Sequence, residues 1–160
     1  MYPELISKGF RRNQRVVVQH AEGLTDADAL RQSGFNTNCF NWVVGHMVAN
    51  RLYILDALGA DRTLSIDMGR YVQESDPIKE AGPGVLSLGD LLAALDETEV
   101  RIEKALAAAD EAFMAEETPI ADGRTATRAA RVMFLYFHDI YHAGQTDVIR
   151  QLSGKSDKII

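Results

Sequence analysis

Phe134–Gly154 reads FLYFHDIYHAGQTDVIRQLSG. It contains no proline and one interior glycine, and its apolar and ring-bearing residues recur at helical spacing. Extended upstream, the pattern predicts a helix from Thr125 to Leu152. Its inward stripe would be Arg131, Phe134/Leu135, His138, Tyr141/His142, Gln145, Val148/Ile149 and Leu152. Two histidines therefore sit one turn apart on a stripe that should be apolar. At 3.6 residues per turn they differ by about 40° in direction and ~6 Å along the axis, so both rings can reach one ion. Such a pair is a weak signal alone, because it also arises by chance.

A third histidine strengthens it. A second helix is expected from Asn38, as N-cap, to Gly59, with the stripe Cys39, Trp42/Val43, His46, Ala49/Asn50, Tyr53 and Ala57. His46 lies in the middle of this face. If both faces pack inward, three imidazoles converge from two helices. Three protein ligands with positions left open is the arrangement of a catalytic rather than a structural zinc site. Burying three unpartnered imidazoles costs several kcal/mol, and one shared cation satisfies all three. The alternative is three separately hydrogen-bonded core histidines, or one that faces solvent. His20, near the end of the first helix, reads as a surface residue complementing that helix's C-terminus.

Two further helices complete the pattern. The first covers about Glu4–Glu22, with Leu5, Ile6, Phe10, Val17 and Val18 as an imperfect apolar stripe ending at Gly23. Residues 24–36 read as a short helical turn and a connector. The third long helix opens at Ser87, with Asp90 completing a variant capping box, and carries Leu88, Leu91, Leu92, Leu95, Ile102, Ala105 and Leu106 on one face. Glu97 and Arg101 form a surface pair on it. Between the second and third long helices, residues 60–86 show weak periodicity and contain Pro and Gly breakers. A connection this long suits a crossover between helices running the same way. No extended alternating run marks a strand. The expected fold is all-α: one domain over residues 1–160, a four-helix bundle with a long crossover between helices two and three.

Composition narrows the function. The chain has 160 residues, 46% hydrophobic and 25% charged, the balance of an ordinary globular domain. A net charge of −6 argues against nucleic-acid binding, and the one basic cluster, Arg11, Arg12 and Arg15, reads as a solvated helix face. Nothing approaches the ~20 apolar residues of a membrane span, and the start lacks a signal peptide's apolar core. Cys39 is the only cysteine, so a reducing, cytoplasmic setting is expected. It reads as a small core residue, since nothing places a base beside it. No Glu-x-x-His motif supports a di-iron site, and HDIYH has Asp where a zincin carries its general-base Glu. No glycine-rich phosphate loop follows a strand.

Helical offsets nominate neighbours for the candidate ion. Trp42 and Asn50 lie one turn either side of His46; Tyr141 and Gln145 follow His138 by three and seven residues. Asn50 and Gln145 suit hydrogen bonds to imidazole or helix packing, Trp42 the core or a substrate shelf. Asp139 points about 100° from His138, towards water. Gly144 costs a helix ~1 kcal/mol relative to Ala, which a close helix approach would explain.

Two blocks, NTNCFNWVVGHMVANRLYILDALG with Asn38, Trp42, Gly45 and His46, and FLYFHDIYHAGQTDVIRQLSG with its His-x-x-x-His followed by Gly-Gln, resemble the DinB/YfiT-like superfamily. The order of the intervening parts, including GLTDADAL, extends the likeness over nearly the whole chain. The resemblance implies a mononuclear site with His46, His138 and His142 holding one divalent ion, zinc or nickel. It also implies a homodimer acting on a small-molecule substrate. Characterised members include S-transferases and isomerases that use low-molecular-weight thiols; others are described as hydrolases. Asp139 stands where many members carry Glu, so no acid–base role transfers to it and no catalytic residue is assigned. The rival expectation is a non-catalytic metal-binding or stress-associated bundle.

Overall fold

The computed structural model describes residues 3–32, 34, 37–120 and 123–155. Its helices are α1 (Pro3–Ala21), α2 (Asp26–Ala29), α3 (Phe40–Ala57), α4 (Leu88–Ala108), α5 (Glu111–Ala115) and α6 (Arg128–Leu152). Among the described residues the fold is all-α apart from one antiparallel hairpin, β1 (Glu117–Pro119) with β2 (Thr125–Thr127). That hairpin corrects the strand-free expectation and the start of the last helix. Thr125 pairs with Pro119, and the helix begins three residues later under Thr127, whose hydroxyl accepts from the Ala130 amide. Residues 33, 35 and 36 of the 24–36 connector lie outside those described.

Local chemistry sets the other boundaries. Thr25 and Asp28 form a reciprocal capping box on α2. Ser87 caps α4 through the Asp90 amide, as its sequence requires. The α3 N-cap is Cys39, one residue beyond the expected Asn38, and its side chain caps nothing. At the other end Gly59 takes φ 65°, the Ala60 amide reaches the Leu55 carbonyl at 2.9 Å and the Gly59 amide reaches that of Asp56 at 3.0 Å. This double closure needs the left-handed region that glycine enters freely.

The four long helices pack in adjacent pairs: α1 with α4 and α6, and α3 with the same two. α3 is buried nearly all round and is therefore the central element. A single guanidinium ties the four together. Arg51, fully buried on α3, donates from Nε and Nη2 to both Asp139 carboxylate oxygens on α6 at 3.0 and 3.3 Å. Its Nη1 donates to Gln14 of α1 at 2.7 Å and to the Leu95 carbonyl of α4 at 2.9 Å. Asn13 adds a bond to the Asp139 carboxylate at 2.9 Å. Asp139 is thus buried, not turned to water as its helical offset suggested, because the inward face of α6 is wider than one stripe and Arg51 supplies its counter-charge.

None of the helices described is long and apolar enough to cross a membrane. Arg11, Arg12 and Arg15 lie in water, where Arg11 pairs with Glu103. Glu97 and Arg101 form the surface pair their spacing suggests.

Candidate metal centre

α3 contributes His46 and α6 contributes His138 and His142, and the structure brings the three rings together. One ring nitrogen from each lies within 4.8 Å of the others. Ring centroids are 5.3 Å apart for His46–His138, 4.9 Å for His46–His142 and 4.4 Å for His138–His142. The two α6 rings face each other through Nε2 atoms 3.1 Å apart.

Hydrogen bonds on the far sides fix how two of the rings are turned. His46 Nδ1 meets the Tyr71 backbone carbonyl at 2.7 Å; a carbonyl only accepts, so Nδ1 carries the proton. Its Nε2 lone pair accepts from the Asn50 side-chain amide at 2.9 Å. His142 Nδ1 likewise donates to the Gln145 carbonyl oxygen at 2.7 Å, leaving Nε2 bare and facing inward. His138 Nδ1 is buried with no partner. Trp42 stacks on His46 at 4.4 Å and 14° and anchors its own indole N–H on Ser75.

Burial holds all three rings below the ordinary histidine pKa. For His46 the Tyr71 carbonyl opposes that effect and the nearby His138 ring adds to it. For His138 the Asp139 carboxylate opposes it. His142 is pushed down to about 4, by burial first and then by the like charge His138 would carry. The three are therefore neutral at pH 7 and present lone pairs. Without an ion, the Asn50 amide serves the His46 lone pair and a proton shared between His138 and His142 serves that pair; a divalent cation would accept the lone pairs of all three rings in place of these bonds. The donor set fits such an ion.

The orientation of His46 depends on a residue the sequence did not flag. Tyr71 sits in the weakly patterned 60–86 segment, ends the 3-10 turn Gly69–Tyr71 and is fully buried. Its ring lies in a slot over Gly45, where an added Cβ would come 2.1–2.5 Å from ring carbons. Its hydroxyl donates to Asn41 and accepts from the Leu86 amide. The one available signal was Gly45, a helix-interior glycine beside a candidate ligand.

Other expectations fare unevenly. Trp42 is buried and also borders a cavity of about 880 Å³ that His142, Tyr141, Gln145 and Ile149 line. Asn50 and Gln145 bond to imidazole nitrogens. Tyr141 is exposed, with its ring edge on His142 at 5.2 Å and its hydroxyl accepting from Gln145. Phe134, Val148 and Leu152 of the expected inward stripe are also exposed, as are Tyr53 of α3 and Leu5 and Val18 of α1. The buried arc of α6 is centred on Asp139 and Thr146 rather than on His138, which lies at its edge. His20 is not a surface residue: it is buried, and its Nδ1 donates to Thr146, whose own proton goes to the Ala143 carbonyl. Arg150 takes the capping role instead, donating to the His20 carbonyl at 2.9 Å. No neighbour crowds Gly144; a Cβ there would meet nothing within 4 Å.

A family model of the DinB superfamily matches residues 10–146, a span that includes all three histidines. The chain belongs to the DinB superfamily. Its DinB fold is similar to that in the crystal structure of a conserved protein from Enterococcus faecalis, with a TM-score of 0.75 and 16% identity over 94% of this chain and 95% of that one. No curated protein matches this DinB chain.

Proposed function

We propose that the chain is a metal-dependent enzyme whose His46, His138 and His142 hold one zinc or nickel ion. We propose further that it transfers a small thiol to an electrophilic small molecule. The observation carrying this reading is the convergence of three neutral imidazoles from two helices, two of them with Nδ1 protons committed to carbonyl acceptors. Three histidines without a fourth protein donor suit catalysis better than structure. A bound divalent ion supplies a lowered pKa for a thiol or water at its open positions.

The chain's own residues do the rest. The Tyr71 carbonyl and Gln145 hold two rings in the tautomer that leaves Nε2 unprotonated, and Asn50 would release the His46 lone pair to the ion. Trp42 shields one side of His46. His142 and Tyr141 open onto the cavity, whose lining includes Val43, Ile149 and Lys79 and, among the described residues, no carboxylate, which suits a partly apolar, electrophilic guest. A second cavity of about 630 Å³, beside Leu58, Ala105 and Phe113, lies away from the histidines.

The scaffold for this chemistry is a four-helix bundle with a crossover over residues 58–87. Contacts of α3 with α4 advance together along both helices, from Asn41–Leu86 to Arg51–Leu95, which supports a parallel pair. Those of α3 with α6 run oppositely, from His46–His142 to Asp56–Arg131.

Titrating a cobalt-substituted chain with low-molecular-weight thiols tests the thiol route. A shift of the visible absorption bands by at least one thiol is expected. Silence towards every thiol, with hydrolysis of activated esters or amides retained, would replace transfer with hydrolysis.

A further inference from the structure

We propose that the histidine-side cavity takes a substrate carrying a carboxylate, and that Lys79 is the residue that selects it. Calling the guest a substrate rests on the proposed reaction; the capture of an anion by Lys79 does not.

The charge of this cavity is the reverse of the molecule's. The chain has 23 acidic against 17 basic residues, a net charge of −6. Yet among the described residues Lys79 is the one formally charged side chain lining the cavity of about 880 Å³. His142, which also lines it, is neutral at pH 7 because burial lowers its pKa to about 4. Lys8, Arg101, Arg128 and Arg131 each hold a carboxylate of their own. Among the described residues none pairs with Lys79, although Asp76 and Glu80 stand close to it in sequence. A cation left uncompensated at the mouth of a partly apolar cleft focuses its field on an anionic guest.

The ammonium is free to move, but the backbone that carries it is fixed. Lys79 is exposed, whereas Ile78 before it is 2% exposed and packs into the core. The Ile78 carbonyl accepts from Gln32 Nε2 at 3.0 Å and from Cys39 Sγ at 3.4 Å. Gln32 also donates to the Leu30 carbonyl at 2.7 Å, which steadies it in turn. The lysine stem therefore leaves from a post beside the start of α3. Cys39 precedes His46 by seven residues, roughly 10 Å along the helix axis. A guest with its reacting atom at the histidines and its carboxylate at Lys79 has a length of that order. Trp42, Val43 and Ile149 give such a molecule an apolar wall. α3 begins at the lysine end, and its N-cap makes no side-chain hydrogen bond, so the positive end of the helix dipole adds to the attraction.

Trp42 is the only tryptophan and lines the cavity, so its fluorescence reports an occupant without any metal or thiol. Quenching of the metal-free chain by para-nitrophenylbutanoate and by its neutral amide tests the proposal. The acid should bind about 10-fold more tightly at low salt, and the preference should shrink as salt is raised. Lys79→Gln should abolish the preference while leaving the amide's affinity unchanged, and Lys79→Arg should keep it. Equal affinities, no saturable quenching by either probe, or a preference that survives Lys79→Gln would each overturn the proposal. A second arm finds which substrate carries the anion. Mercaptohexanoate and mercaptohexanol are titrated into the cobalt-loaded chain. An acid preference in this pair that depends on Lys79 places the carboxylate on the thiol; its absence here, with the preference kept in the nitrophenyl pair, places it on the electrophile. Cobalt bands unmoved by both thiols, with the nitrophenyl preference intact, would sink the thiol reading and leave the role of Lys79 standing. Bands moved equally by both, with no preference in either pair, would do the reverse.

Discussion

At the scale of single residues, the candidate ligands work through what stands behind them. His46 has its proton held by a backbone carbonyl, and that carbonyl is where it is because Tyr71 fills the space over Gly45. Gly45→Ala should therefore do two things. The added methyl must displace a buried ring, at a cost of about 1–3 kcal/mol in urea unfolding. It should also weaken zinc binding in competition with a chromophoric chelator by about 10–100-fold, the range for disturbing a group that orients a ligand. Tyr71→Phe keeps the ring and the carbonyl and should lose stability while largely retaining zinc affinity. If the two variants behave alike, the slot does not orient the ligand. The three histidines and both amide neighbours were legible in the sequence because helical offsets fix direction on a helix. Tyr71 was not, because residues 60–86 have no period from which to infer a face.

At the scale of elements, the register between α3 and α6 decides whether the rings meet at all. The Arg51–Asp139 pair lies between the helices, one position beyond His138 and five beyond His46. Removing one partner leaves an uncompensated buried charge, so Asp139→Leu should cost about 3–5 kcal/mol in chemical denaturation. Arg51→Met combined with Asp139→Leu should recover more than half of that, and a double variant as unstable as the single one would contradict it. Periodicity located the long helices to within a few residues, and Ser87 with Asp90 marked a helix start by its own hydrogen bonding. It placed Asp139 and His20 wrongly for one reason. Polar residues on a buried arc look like solvent-facing ones until their partners are known, and Arg51 and Thr146 lie 88 and 126 residues away from them in sequence. The β1–β2 hairpin was missed because three-residue strands are too short to show alternation.

At the scale of the whole molecule, buried histidines make the metal-free protein sensitive to acid. His20, His46, His138 and His142 all have their pKa lowered from 6.5, chiefly by burial. The unfolded chain therefore takes up protons first as pH falls. Stability is full above about pH 6.5 and declines towards the folded values, with His142 alone contributing on the order of 3 kcal/mol by about pH 4. Glu99 opposes this, because burial and the neighbouring Glu103 raise its pKa and favour the fold at low pH. Urea melts of the chelator-treated chain should show a net loss between pH 7 and pH 4; constant stability would mean the rings are hydrated. The family and the helical scaffold set the context, but the proposed chemistry depends on three imidazoles sharing one ion. X-ray absorption at the zinc edge, on a chain loaded with one equivalent, tests that most directly. Three imidazole nitrogens at about 2.0–2.1 Å, falling to two in His142→Ala, is the expected result. Failure to retain the ion, or a spectrum unchanged by His142→Ala, would contradict it.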